Sequence, residues 1–213
     1  MSDNPFVGVD SERFDFIKQD YETGNWYNGK SPIDVNYMMV DPDTIKMGWI
    51  WYENSTKTYH EVWQKDIFTP IDQPSPDYKP AFSVWVLPWY KTDESSVMHH
   101  PMLWKRNSHC EYKGFMNMGA SYYEKAKENP GKLPIVRVEE SELIVYKSGF
   151  KSYSPTFKLA TFKERPSDFV IPSFGNDETE ADFSPDLSPS ASDLSASNEV
   201  EPDTKTFDDD IPF

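Results

Sequence analysis

Cysteine is all but missing: Cys110 is the only one in 213 residues, so no internal disulfide can form and a reducing compartment is the simplest expectation. No apolar run approaches the roughly 20 residues that a membrane-spanning helix needs. The opening Met1-Ser2-Asp3-Asn4-Pro5-Phe6 lacks the basic segment and following apolar run of an export signal. The expectation is a soluble, unexported protein of the cytoplasm, with no membrane partner. Also lacking are a phosphate-cradling glycine loop, a nucleophile elbow and a deaminase-type Pro-Cys-x-x-Cys, so neither catalysis nor a cofactor is expected. Basic residues are scarce as well, 21 Lys and Arg against 36 Asp and Glu, which ordinarily counts against a polyanionic partner.

The acid, however, is concentrated in one place. Residues 175–213 hold twelve Asp and Glu and one basic residue, Lys205, so they contribute −11 of the net −15. The remaining body is nearly neutral, with twenty Lys and Arg facing twenty-four Asp and Glu. The balance of the whole chain therefore does not exclude a cationic groove on its body.

Along the chain, Phe14, Ile17 and Tyr21 follow a helical spacing that supports a short helix in the N-terminal arm. From Ile33 the pattern becomes β: Ile33, Val35, Tyr37 and Met39 alternate, and Ile45–Tyr52 is rich in aromatic and branched residues at strand length. Asn54-Ser55-Thr56-Lys57 separates that run from Tyr59–Trp63, which predicts a hairpin. Pro70, Pro74, Pro76 and Pro80 make residues 69–80 a loop. Ala81–Tyr90 is the most apolar run and reads as a central strand. Phe115, Met118, Tyr122 and Ala126 predict a helix, stopped by Asn129-Pro130-Gly131. Pro134–Lys147 and Ser154–Phe162 read as two further strands joined through Lys147–Phe150. The sum is a mainly β domain, an OB-fold-like barrel of five to six strands with one helix before the last strands.

After Phe174 the composition turns to Ser, Asp, Glu and Pro, too poor in apolar residues to offset its ordering entropy. The expected organisation is a domain over residues 1–174, a disordered acidic linker over 175–203 and a terminal segment over 204–213. That segment ends Asp208-Asp209-Asp210-Ile211-Pro212-Phe213, and a merely solubilising tail has no reason to end in Ile-Pro-Phe. Phe213 offers a ring and a carboxylate on one residue, for an apolar pocket with a cation at its rim. Pro212 lowers the ordering cost of docking, and the three aspartates steer the tip toward basic surfaces. A flexible linker of about thirty residues has a root-mean-square reach of about 30 Å.

These six residues are similar, residue for residue, to the C-terminal tip of bacterial single-stranded DNA-binding proteins. The body lacks the pattern of the bacterial housekeeping family and looks more like the diverged single-stranded DNA-binding proteins of bacteriophages, a resemblance that implies the host bacterial cytoplasm if the chain is phage-encoded. The resemblance implies sequence-independent protection of single-stranded DNA during replication, recombination and repair. It also implies docking of replication, recombination and repair proteins on Asp208, Asp209, Asp210, Ile211, Pro212 and Phe213. Oligomeric state does not transfer with a tip. An acidic tail beside a cationic groove is expected to compete with DNA in cis.

The body carries all seven Trp and all twelve Tyr, and bases of single strands stack on exposed rings beside cations. Trp49, Trp51, Tyr52, Tyr59, Trp63, Trp85, Trp89 and Tyr153 lie on strand-like segments. Alternation sets Lys46, Gly48, Ile50 and Tyr52 against Ile45, Met47, Trp49 and Trp51, and the first set has the mixed character of a ligand-facing surface. Tyr59, Glu61, Trp63 and Lys65 share another face. The candidate DNA contacts are Lys46, Tyr52, Tyr59, Trp63, Trp85, Trp89, Lys91, Lys105, Arg106, Arg137, Lys147, Lys151, Tyr153 and Lys158. Against each stands the ordinary alternative, a buried ring or a solvated charge.

His99, His100, His109 and Cys110, with His60, are residue types that ligate zinc, but their spacing matches no zinc framework and a polar loop accounts for them better. Glu139, Glu140 and Glu142 fall on alternating faces of a strand-like run, a poor carboxylate pair for metal-assisted hydrolysis. Two alternatives to DNA protection remain: a protein that occupies host tip-binding pockets without touching DNA, and a metal-dependent nuclease, which a magnesium or manganese digestion assay exposes.

Overall fold

The computed structural model describes residues 15–66 and 68–172. Contacts divide the chain into a unit ending at Pro172 and a unit from Ser173 to Phe213. The acidic linker, the terminal segment and Phe14 lie outside the described residues.

The described part is mainly antiparallel β with one helix. Its strands are β1 (Ile17–Gln19), β2 (Trp26–Asn28), β3 (Ser31–Ile33), β4 (Tyr37–Val40), β5 (Lys46–Glu53), β6 (Thr58–Trp63), β7 (Lys79–Lys91), β8 (Ser96–Met98), β9 (Met102–Arg106), β10 (Leu133–Val138), β11 (Glu142–Val145), β12 (Lys151–Ser154) and β13 (Phe157–Lys163). Helix α1 (His109–Ala126) stands between β9 and β10. β7 is central: one edge pairs with β4 and β5, the other with β8 and β9. β10 pairs with β4 and then with β13. The path β9-β7-β4-β10-β13, with its helix before the last two strands, has the strand order of an OB-type barrel.

The barrel does not close, since no ladder joins β13 to β9. Rings fill the gap instead: Trp26 lies 5.5 Å from Trp104 of β9 and 6.3 Å from Phe157 of β13. The N-terminal arm therefore forms the small sheet β1-β2-β3 rather than the expected helix. Ile17 and Trp26 of that sheet are buried in the barrel core, and the gain from covering the open seam outweighs a weak helical spacing.

The barrel interior takes one face of each strand, with Met38, Val40, Phe82, Val84, Val86, Met102, Trp104 and Val136 packed on Phe115, Met118 and Tyr122 of α1. Phe82 and Phe115 stack at 4.1 Å. The helix begins six residues before the apolar spacing does. Ser108 caps it, its hydroxyl accepting from Glu111 N–H at 3.4 Å while donating to the Glu111 carboxylate at 3.0 Å. Glu111 is buried, and its other donors are Gln19 N–H, the Trp104 indole and the Arg106 guanidinium. One carboxylate thus joins β1, β9 and α1 with every oxygen satisfied, the condition under which a buried charge is tolerated.

The run expected as a single strand, Pro134–Lys147, is two strands belonging to different sheets. β10 continues the barrel, while β11 turns out to pair with β12 as a separate hairpin.

Candidate nucleic-acid interface

Cross-strand partners share a face of a sheet, so the ladders fix what lies on the outside of the barrel. Gly48 is opposite Trp63 and Ala81; Tyr52 is opposite Tyr59; Lys46 is opposite Ser83, and Ser83 opposite Lys105. Further along β7, Trp89 is opposite Tyr37, which is opposite Arg137, which is opposite Lys158. Lys46, Tyr52, Tyr59, Trp63, Trp85, Trp89, Lys91, Lys105, Arg137 and Lys158 therefore lie on one outer face, although the sequence scatters them over more than a hundred positions.

The register adds residues that alternation within single segments did not single out. Lys79 is opposite Ile50 and Lys163 opposite Leu133, both on this face. Within its strands the face carries Lys46, Lys79, Lys91, Lys105, Arg137, Lys158 and Lys163 against one carboxylate, Glu61. Burial lowers the pKa of the Lys79 ammonium, as desolvation of a cation requires.

The face has two regions. Around Met39, Trp85, Leu87, Leu103, Leu133 and Ile135 it is apolar and covered, with Phe169 buried against it and Ile171 packed at its margin. Trp85 is 4% exposed, so this ring cannot stack on a base; the segment after β13 takes its place as neighbour. Beside the covered region, Trp89 and Tyr37 stack at 5.5 Å with planes 13° apart and remain partly exposed.

The other region is made by the β5–β6 hairpin. Tyr52 and Tyr59 pair at 4.7 Å, and Tyr59 is 63% exposed. Gly48 is buried, and a Cβ there would lie 2.1 Å from the Val62 carbonyl oxygen and 3.0 Å from the Trp63 ring. Only glycine allows β6 to coil this tightly over β5. The Glu61 carboxylate accepts from Lys105 Nζ at 2.6 Å and from the Trp63 indole N–H at 3.0 Å. On the reverse side of the hairpin, the Trp49 indole donates to Ile71 O at 3.1 Å and Trp51 stacks on His60 at 4.8 Å and contacts Tyr78. These two tryptophans hold the proline-rich loop rather than facing outward.

Arg106 departs from the expectation. It sits on the inward parity of β9, and its guanidinium is committed to buried Glu111. Lys147, Lys151 and Tyr153 lie apart from the outer face, on the β11–β12 hairpin and its turn. Tyr153 packs against Gly24, and its backbone N–H donates to Tyr21 O at 2.8 Å.

The histidines are dispersed. His99 contacts Asp34 O at 3.1 Å, His100 pairs with Asp15, and His60 pairs with Glu53 at 3.1 Å. The Cys110 thiol is buried beside the Tyr146 hydroxyl at 3.2 Å. Among the described residues no group of three His, Cys, Asp or Glu side chains is arranged to hold a metal ion. Glu139 pairs with Arg137, and Glu142 with Lys113. Among the described residues no helix is long and apolar enough to cross a membrane.

Compared with protein-family models, with curated proteins and with solved structures, the chain matches none.

Proposed function

We propose that the protein binds single-stranded DNA without sequence preference on the outer face of the barrel, and that its terminal Asp208–Phe213 recruits proteins of DNA replication, recombination and repair. The observation that carries the reading is the charge asymmetry of that face. Seven basic side chains and one carboxylate occupy its strand positions, and just past β10 Glu139 pairs with Arg137, in a chain whose net charge is −15. Exposed Tyr59 with half-buried Tyr52 and Trp63 at one end, and half-buried Tyr37 and Trp89 at the other, stand among those cations, the combination that grips an unpaired strand.

The strand order adds support. OB-type barrels bind oligonucleotides on the face of their second and third strands, flanked by the loops between strands one and two and between strands four and five. Here those strands are β7 and β9, covered by Phe169 around Trp85, Leu87 and Leu103 but open at Trp89 and Lys105; the first loop is the β5–β6 hairpin and the second is the β11–β12 hairpin, whose Lys147, Lys151 and Tyr153 lie apart from the face. Fold analogy alone does not establish function, so the residues carry the reading and the topology is secondary.

Quenching of tryptophan fluorescence by oligo-dT across a salt series tests it. Binding that weakens linearly in log–log form as salt rises is expected. Indifference to oligo-dT at low ionic strength, in the full chain and in a chain ending at Pro172, removes the reading. The six-residue tip by itself favours the alternative of a protein that fills host tip-binding pockets. That alternative expects no gel shift with oligo-dT and full competition by a peptide ending in Ile-Pro-Phe.

A further inference from the structure

Glu61 is the one carboxylate on the strand positions of the outer face, and both of its oxygens are taken by donors of that face, Lys105 Nζ at 2.6 Å and the Trp63 indole at 3.0 Å. The bridge to Lys105 is also long-range in the sheet. β6 and β9 are separated by β5 and β7, about 14 Å across three strand spacings, and the two positions are offset along β7 by four residues, about 13 Å. The pair meets because the hairpin coils over the face at Gly48. An ammonium and an indole N–H converging on one anionic group make an anion subsite, and both side chains of the ion pair remain between a quarter and a third exposed, so water and solutes reach it.

We propose that Lys105 and Trp63 form a phosphate subsite of the single-strand interface, whose occupant in the free protein is the Glu61 carboxylate. A backbone phosphate of the DNA displaces that carboxylate on binding. The inference rests on the proposed function of the outer face. Its chemical content is an exchange of one anion for another at the same donors. A lysine already neutralised by Glu61 releases fewer counterions when it meets a phosphate, because the freed carboxylate takes up a cation in turn. Glu61 therefore lowers both affinity and salt sensitivity, and it holds Trp63 in place until the strand arrives.

The test is Glu61→Gln in the full chain, with oligo-dT as probe. Glutamine keeps an acceptor for the Trp63 indole but no charge. At low salt the affinity is expected to rise about three- to tenfold, and the slope of log K against log salt to steepen by about 0.7, one phosphate's share for single strands. Lys105→Gln is expected to weaken binding, and Glu61→Gln to gain less on that background than in the wild type, since part of the carboxylate's effect acts through that lysine. The Trp63 indole N–H resonance, assigned with Trp63→Phe, reports whether the hairpin is intact in each variant and shifts on titration with oligo-dT. A wild-type chain that binds while Glu61→Gln, with its indole resonance in place, shows the same affinity and slope overturns the exchange. Failure of both chains to bind overturns the reading of the face itself, and binding by Glu61→Gln alone supports the exchange in its strongest form.

Discussion

Arg165 closes on Asp41: its guanidinium donates to Oδ2 at 2.6 Å, and the carboxylate it reaches is fully buried between β4 and β5. The same guanidinium lies 5.2 Å from the Phe169 ring, so one side chain ties the segment after β13 to the sheet and supports the ring that covers Trp85. Replacing Arg165 by Met strands a buried charge. The expected cost is about 2–3 kcal/mol, below the roughly 3–5 kcal/mol of a fully buried pair because Arg165 is 39% exposed. Urea unfolding checks it, and a chain ending at Lys163 should lose at least as much.

Trp63 and Trp85 share a face but differ in access, and substitution separates their roles. Trp63→Ala is expected to cost about 1–3 kcal/mol in oligo-dT affinity with a small effect on stability. Trp85→Ala, under Phe169, is expected to cost about 3–5 kcal/mol in stability. Equal effects of the two on DNA affinity at matched foldedness would remove the stacking assignment of Trp63.

Gly48→Ala puts a Cβ 2.1 Å from the Val62 carbonyl oxygen, a backbone atom that cannot swing aside. The hairpin must uncoil, and a loss of about 1–3 kcal/mol is expected. Because Glu61 then loses its reach to Lys105, oligo-dT binding should change as well, whereas Gly119→Ala, with nothing near its added Cβ, should leave binding alone.

Tyr122 lies against the barrel core, and burial pushes its hydroxyl up to about 12 from the usual 10. The raised value means that the folded state holds this proton more tightly than the unfolded chain does. The stabilisation is complete below pH 10 and is lost as pH rises from 10 to about 12, by roughly 2–3 kcal/mol. Thermal unfolding across that window should show the decline, and Tyr122→Phe should remove its share.

Ending the chain at Pro172 keeps Phe169 and Ile171 on the sheet and removes a segment of −11. Tighter oligo-dT binding at low salt is expected, with the difference shrinking as salt rises. Deleting Phe213 alone should leave DNA binding intact and abolish capture of replication and repair proteins.

Much of the barrel was legible before any coordinates. β5 and β6 follow from alternation, aromatic content and the turn at Asn54–Lys57, because their pairing joins near neighbours in sequence; β7 follows from its apolar run, although Lys79 and Pro80, expected in the loop, already pair with β5. The helix was legible from Phe115 onward, but its first turn was not, since Cys110 and Glu111 are buried by β9 and β12 rather than by helical periodicity. The N-terminal arm was misread for a related reason: Ile17 and Trp26 cover a barrel seam, and short strands of three residues carry too little pattern to reveal it. Arg106 and Trp85 were placed on the wrong side of a boundary that only packing draws.

The sequence by itself determined the β character, the separation of an almost neutral body from an acidic terminus, and the residue types available to meet a polyanion, because composition and local period are properties of the chain. The tertiary structure alone decided which of those residues stand together. Strand register carries Lys46, Lys105, Arg137 and Lys158 to one surface and turns Arg106 inward, and the segment beyond Lys163 covers one tryptophan of that surface while leaving another open. Those choices depend on ladders between positions as much as a hundred residues apart, and no local pattern encodes a pairing at that range.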